Sequence, residues 1–147
     1  AARTYGVGEI SKEAKNLMQI TKECFFEGIK FAREGNHLFD ISGAIGRYAE
    51  ERGYGVVRDL CGHGIGTALH EAPEIPNYEV GRKGVKLRPG MTLAIEPMIN
   101  IGTYEVDWLD DDWTVVTRDG SLSAHYENTI LITEGEPRIL SLTCDNE

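Results

Sequence analysis

Residues 11–32, SKEAKNLMQITKECFFEGIKFA, place apolar or small side chains at Ala14, Leu17, Met18, Thr21, Cys24, Phe25, Ile29 and Ala32. Steps of three and four residues keep these on one face of a helix for several turns. Ser11 offers a hydroxyl to cap the first turn, and Gly35 supplies the stop. The pattern then restarts. Asp40 is a candidate cap, Ile41, Ala44, Ile45, Tyr48 and Ala49 form a second apolar face, and Gly53 follows its end. Two helices joined by a short loop make an antiparallel pair that needs something apolar to cover.

The rest of the chain supplies that surface. Runs of strand composition occupy Gly55–Leu60, Met91–Ile101, Tyr104–Trp108, Trp113–Arg118, Ala124–Thr133 and Pro137–Leu142. Between them lie the turn signals Arg88-Pro89-Gly90, Ile101-Gly102-Thr103, Asp119-Gly120 and Glu134-Gly135. Pro89-Gly90 suits the two central positions of a type II turn. Helices first and antiparallel strands afterwards predict an α+β layer, with the helix pair on one face of the sheet. No internal repeat or linker interrupts residues 1–147, which read as a single domain.

Composition narrows the function classes. With 41% apolar and 27% charged residues, a chain of 147 can bury a sizeable core, which excludes disordered and collagen-like chains. No apolar run approaches the ~18 residues of a membrane span. The excess of 24 acidic over 15 basic residues, a net charge of −9, argues against a nucleic-acid partner, since phosphate binding needs a basic surface. Cys24, Cys61 and Cys144 are odd in number and lack paired spacing, so neither a disulfide framework nor a CxxC zinc site is expected. A reducing cytoplasm is the natural setting.

Three segments hold candidate chemistry. Cys61-Gly62-His63-Gly64-Ile65-Gly66 runs into Thr67-Ala68-Leu69-His70-Glu71, with two histidines seven residues apart. The glycines fit neither a phosphate loop nor the dinucleotide fingerprint, and His70-Glu71 lacks the second histidine of a zinc helix. What remains is a histidine on a tight glycine loop facing a cleft, or a structural histidine in a turn. Glu96 lies in an otherwise apolar strand, where a lone buried carboxylate costs several kcal/mol or so unless paired or metal-bound. Alternation puts it beside Ala94 and Met98, a face not otherwise polar. In the last long strand, His125 and Glu127 share a face with Thr129 and Leu131. One histidine and two glutamates from separate segments match a hard or borderline divalent ion, although 24 acids also permit coincidence. Asp110-Asp111-Asp112 lacks calcium-loop spacing and reads as a solvated hairpin tip, with Trp113 either capping the sheet edge or closing over a ligand. His37 is expected to face water.

These segments, in order, resemble a known family. Gly62-His63-Gly64-Ile65-Gly66, His70-Glu71-Ala72-Pro73, Leu87-Arg88-Pro89-Gly90-Met91, Ile95-Glu96-Pro97-Met98, Trp113-Thr114-Val115-Val116-Thr117 and Ser121–Thr129 closely resemble the C-terminal half of a type I methionine aminopeptidase, of the pita-bread (creatinase/aminopeptidase-like) fold. Prolidases and proline aminopeptidases share the His and Glu pattern, but Ile95–Met98 and Ser123–Thr129 look like the methionine branch.

The resemblance implies a helix pair packed on a curved antiparallel sheet and removal of the N-terminal methionine from nascent peptides. It implies His63, Glu96 and Glu127 as metal ligands, with Glu127 bridging two ions (Co, Mn, Fe or Zn) and Glu96 also moving a proton. His70 would hydrogen-bond the scissile peptide, and Leu69 and Trp113 would line the methionine pocket. The family's two aspartate ligands come from the preceding half, and matching residues 1–8 puts the second just before Ala1. This chain is therefore expected to be weakly active alone: first as a piece of a full enzyme, second as one of two polypeptides that form the site together, with a separate N-terminal half as partner. The alternative is a non-catalytic pita-bread-like module that binds a peptide or protein.

Overall fold

The computed structural model describes residues 1–142; Cys144 lies outside them. Helix α1 spans Lys12–Ile29, and the Ser11 hydroxyl caps it by accepting the Ala14 N–H at 3.0 Å. It stops short of the expected Ala32. Helix α2 covers Leu38–Glu50 and starts before Asp40, with His37 at its cap position. Asp40 sits one turn in, and its carboxylate accepts the His37 N–H at 2.8 Å. His37 is thus half-buried at a helix start and bridges to Lys86, where the sequence suggests a residue facing water.

The described residues form ten strands: β1 (Ala2–Arg3), β2 (Gly55–Val56), β3 (Gly62–Ile65), β4 (Glu71–Ile75), β5 (Thr92–Ile95), β6 (Met98–Asn100), β7 (Val106–Trp108), β8 (Val115–Thr117), β9 (Ser123–Leu131) and β10 (Arg138–Ile139). The main sheet runs β2-β6-β9-β5-β3-β4, with β1 and β10 also paired to β9, and all its pairings are antiparallel. β7 and β8 form a separate hairpin. The expected strands exist but are mostly shorter. Among the described residues three strands have no counterpart in the pattern: β1, only two residues long, β3 in the glycine-rich segment, and β4, which contains Pro73. β4 lies at the sheet edge, where a missing N–H costs no ladder bond.

The alternation along β9 organises the molecule. Ala124, Tyr126, Asn128 and Ile130 are buried, while His125, Glu127, Thr129 and Leu131 are half-buried. Tyr126 packs on Phe25 of α1, with ring centroids 5.4 Å apart, so the first set faces the helices. Leu17, Phe25, Ile41 and Ile45 from the helices meet Leu93, Ile95, Ile99 and Ile130 from the sheet in one apolar core. Each such side chain contributes about 1.5–3 kcal/mol on burial. Gly28 lets α1 and α2 approach, because a Cβ there would come within 2.6 Å of Ile45. The face of β9 carrying His125 and Glu127 is left to the opposite side of the sheet.

Candidate metal centre

The glycine-rich segment is a strand, not the tight loop its composition suggests. β3 lies between β5 and β4, with His63 opposite Ala94 on one side and Glu74 on the other. A Cβ on Gly62 would press on the Ala94 carbonyl oxygen, and one on Gly64 would press on that of Ala72. Neither glycine needs a positive φ; what they provide is close backbone approach. We expect Gly64→Ala to force β3 and β4 apart, destabilising the fold by roughly 1–3 kcal/mol. Chemical denaturation checks this, and an unchanged midpoint would show that the strands yield without cost.

Beyond β3 the chain turns through residues 66–70. The Glu71 carboxylate ties this turn by accepting the Thr67 hydroxyl at 2.8 Å and the Ala68 N–H at 2.7 Å. The turn returns His70 to the first histidine, with ring centroids 4.2 Å apart and the planes at 51°. Both rings line a cavity of about 550 Å³ together with Cys61 and Glu74.

Glu96 sits where a strand breaks. β5 and β6 both pair with β9, through Ile95 opposite Asn128 and Met98 opposite His125. Pro97 has no N–H to give, but its carbonyl accepts the Tyr126 N–H at 3.2 Å. The expected single run Met91–Ile101 is therefore two strands, and the break carries a carboxylate with 14% of its surface exposed. Burial, and then the charge of Glu127, push the Glu96 carboxyl up to about 7, against a smaller pull from the Ala1 ammonium. Pairing of Ala2 with Glu127 brings that ammonium to 3.3 Å from Glu127 Oε1.

Two imidazoles bracket Glu96. His63 Nε2 is 3.5 Å from Oε1, and His125 Nε2 is 3.7 Å from Oε2. One ligand atom each from Glu96, His125 and Glu127 falls within 4.8 Å of the others. His63 Nδ1 lies 2.9 Å from the Gly64 carbonyl. Donation there leaves the Nε2 lone pair facing a carboxylate oxygen, and two acceptors so placed are accommodated by a cation between them. His125 Nε2 is buried without a hydrogen-bond partner, and burial lowers the pKa of its ring, keeping it neutral. Crowded carboxylates and a bare imidazole lone pair fit a divalent ion.

The structure thus brings His63, His70, Glu96 and Glu127 to one region and adds His125, which the sequence pattern placed on the strand without a role. The available signal was its shared strand face with Glu127. Leu69 and Trp113 lie outside the buried cluster, with 69% and 84% of their surfaces exposed. Trp113 is at the tip of the β7–β8 hairpin, where the Asp111 carboxylate accepts the N–H groups of Trp113 and Thr114 at 3.0 and 2.8 Å. Asp111 builds the turn, in keeping with a hairpin tip. Cys24 and Cys61 are free. Burial pushes the Cys24 thiol up to about 12 and raises that of Cys61, so neither is a ready nucleophile.

A helix pair on an antiparallel sheet, with carboxylates and imidazoles gathered on the sheet's far face, is the architecture shared with solved proteins of the pita-bread class. The chain belongs to metallopeptidase family M24, which it matches over residues 1–134. It is 58% identical over 142 residues to a methionine aminopeptidase of Clostridium acetobutylicum, covering 97% of this chain and 57% of that protein. With the Escherichia coli methionine aminopeptidase it shares 40% identity over 145 residues, 99% of this chain and 55% of the other. The solved methionine aminopeptidase of Thermotoga maritima superposes with a TM-score of 0.92 at 48% identity, over 96% of this chain and 57% of that one. A prolidase from Pyrococcus furiosus gives 0.72 at 26% identity, over 96% and 36%. The chain spans little more than half the length of the curated relatives it matches.

Proposed function

We propose that this chain carries the second half of the active site of a methionine aminopeptidase, which removes the N-terminal methionine from nascent peptides. The observation that carries the reading is Glu96 held between two imidazoles, with Glu127 beside it, on the sheet face away from the helices. The names of the relatives support the substrate class. His63, Glu96 and Glu127 would hold two divalent ions, of Co, Mn, Fe or Zn, with Glu127 shared between them. Bound ions would supply Lewis acidity for peptide hydrolysis.

The chain's own groups then have defined tasks. Glu96, whose Oε1 faces His63 Nε2 at 3.5 Å, would also move a proton to or from the attacking water. His70, which borders the cavity, would hydrogen-bond the peptide being cleaved. Leu69 and Trp113, apolar and exposed, would form part of a methionine pocket, whose flexible thioether suits an aromatic edge. Two further aspartate ligands would come from a preceding half, in the same polypeptide or a separate one; that the chain spans 57% of a methionine aminopeptidase it matches supports this. Free thiols at Cys24 and Cys61 favour a cytoplasmic setting, and the net charge of −9 disfavours nucleic acid. Among the described residues no helix is long and apolar enough to cross a membrane.

Native mass spectrometry with and without Mn²⁺, paired with hydrolysis of a Met-Ala peptide, tests the reading. The expected result is two ions and rapid turnover for the full-length protein, against at most one ion and weak turnover for this chain. A full-length protein that binds peptide ends without metal or cleavage would instead be a pita-bread-like binding module.

A further inference from the structure

We propose that His125 is a positioning residue whose Nε2–H donates to Oε2 of Glu96 and fixes the direction in which Glu96 presents Oε1 toward His63. The inference rests on the metallopeptidase reading above. Its starting point is an anomaly: His125 Nε2 is buried without a hydrogen-bond partner, and buried polar atoms are rarely left so. The group it approaches is Glu96 Oε2 at 3.7 Å, just beyond hydrogen-bond reach.

The backbone beneath the ring is tied down. The His125 N–H donates to the Thr4 hydroxyl oxygen at 2.9 Å, and that hydroxyl donates to the His125 carbonyl at 3.1 Å. On the other side of β9, His125 pairs with Met98. The ring therefore stands on a fixed base and needs only a small rotation, or a small shift of the Glu96 carboxylate, to close the bond.

The two histidines around Glu96 differ in a telling way. An imidazole that ligates a metal usually has its other ring N–H held by an acceptor. His63 has that bond, from Nδ1 to the Gly64 carbonyl, which leaves its Nε2 lone pair bare. Among the described residues His125 makes no such bond from Nδ1, so nothing commits its proton there, and Nε2 is free to carry it. One oxygen of Glu96 thus faces a lone pair and the other a donor, an arrangement that distinguishes the metal side of the carboxylate from its anchored side.

His125→Ala and His125→Gln in the full-length protein test this, since the glutamine amide can place a donor at similar reach. The readouts are Mn²⁺ affinity and stoichiometry by calorimetry, and kcat and KM on a Met-Ala peptide. The alanine variant is expected to lose about 10–100-fold in Mn²⁺ affinity and to lower kcat with KM little changed. The glutamine variant should recover both to within a few-fold, with the number of ions unchanged. Wild-type affinity and kcat in His125→Ala would overturn the role. So would a His125→Gln protein as weak as His125→Ala and short of one ion, which would make His125 a ligand. In both those cases the wild type still binds metal and cleaves, so the metallopeptidase reading stands. A wild type that binds no Mn²⁺ would overturn both together.

Discussion

Glu127→Gln lowers peptidase activity of the full-length protein by on the order of a hundredfold or more while the fold survives. Groups that merely orient metal ligands cost about 10–100-fold when changed, and a carboxylate shared between two ions should cost more. Glutamine keeps the shape of the side chain and removes one of two crowded negative charges. Glu127 contributes to the raised pKa of Glu96, so its neutralisation relieves a repulsion in the metal-free protein. Where Ala1 carries a free ammonium, glutamine also gives up an ion pair at 3.3 Å that is partly exposed, a kind of pair worth about 1 kcal/mol or less. Melting temperature should therefore change little while turnover collapses. Full turnover by a folded Glu127→Gln protein would remove Glu127 from the metal site.

The second large effect is a dependence of stability on pH that belongs to Glu96. Its carboxyl titrates near 7 in the fold, against an ordinary value of 4.5. Between those values the folded protein holds a proton that the unfolded chain has released, so stability must fall as pH rises. The decline begins near 4.5 and is complete above about 7. Glu96→Gln abolishes this component, so the variant's melting temperature should gain on wild type across the window and hold a constant lead above it. Thermal melts in EDTA from about pH 4.5 to about 8 measure the difference, because groups that do not interact with Glu96 cancel between the two proteins. Curves that stay parallel would mean that Glu96 ionises at its ordinary value. Divalent metal should reverse the trend: it binds the carboxylate form, so its affinity and its stabilisation grow through the same pH range.

Much of this was legible in the chain's local pattern. The helical face from Ala14 to Ile29 is a matter of spacing, and the Ser11 cap needs only a hydroxyl ahead of the first turn. The same holds for β9, whose period of two separates Tyr126 and Ile130 from His125 and Glu127. The ordered motifs around His63, His70, Glu96 and Glu127 pointed to a metallopeptidase family, to which the chain belongs. Local pattern misled where a residue's role depends on a neighbouring strand. Gly62 and Gly64 suggested a turn, yet they serve close approach to the Ala94 and Ala72 carbonyls. Asp40 suggested a cap, yet it lies inside the helix and accepts the N–H of His37. β4 was hidden because Pro73 is a poor strand residue everywhere but at an edge.

Periodicity and side-chain chemistry act over a few residues, and so the chain alone announced its helices, its long strand and the residues able to bind a cation. The register of β5 and β6 against β9 is a long-range property. It sets Glu96 beside Glu127, brings His125 to one of its oxygens and leaves His63 at the other. A shift of one residue in that pairing would turn every one of these side chains to the opposite face. The candidate ligands are therefore written in the local sequence, whereas their assembly, and the proposed donor at His125, exist only once the sheet has formed around them.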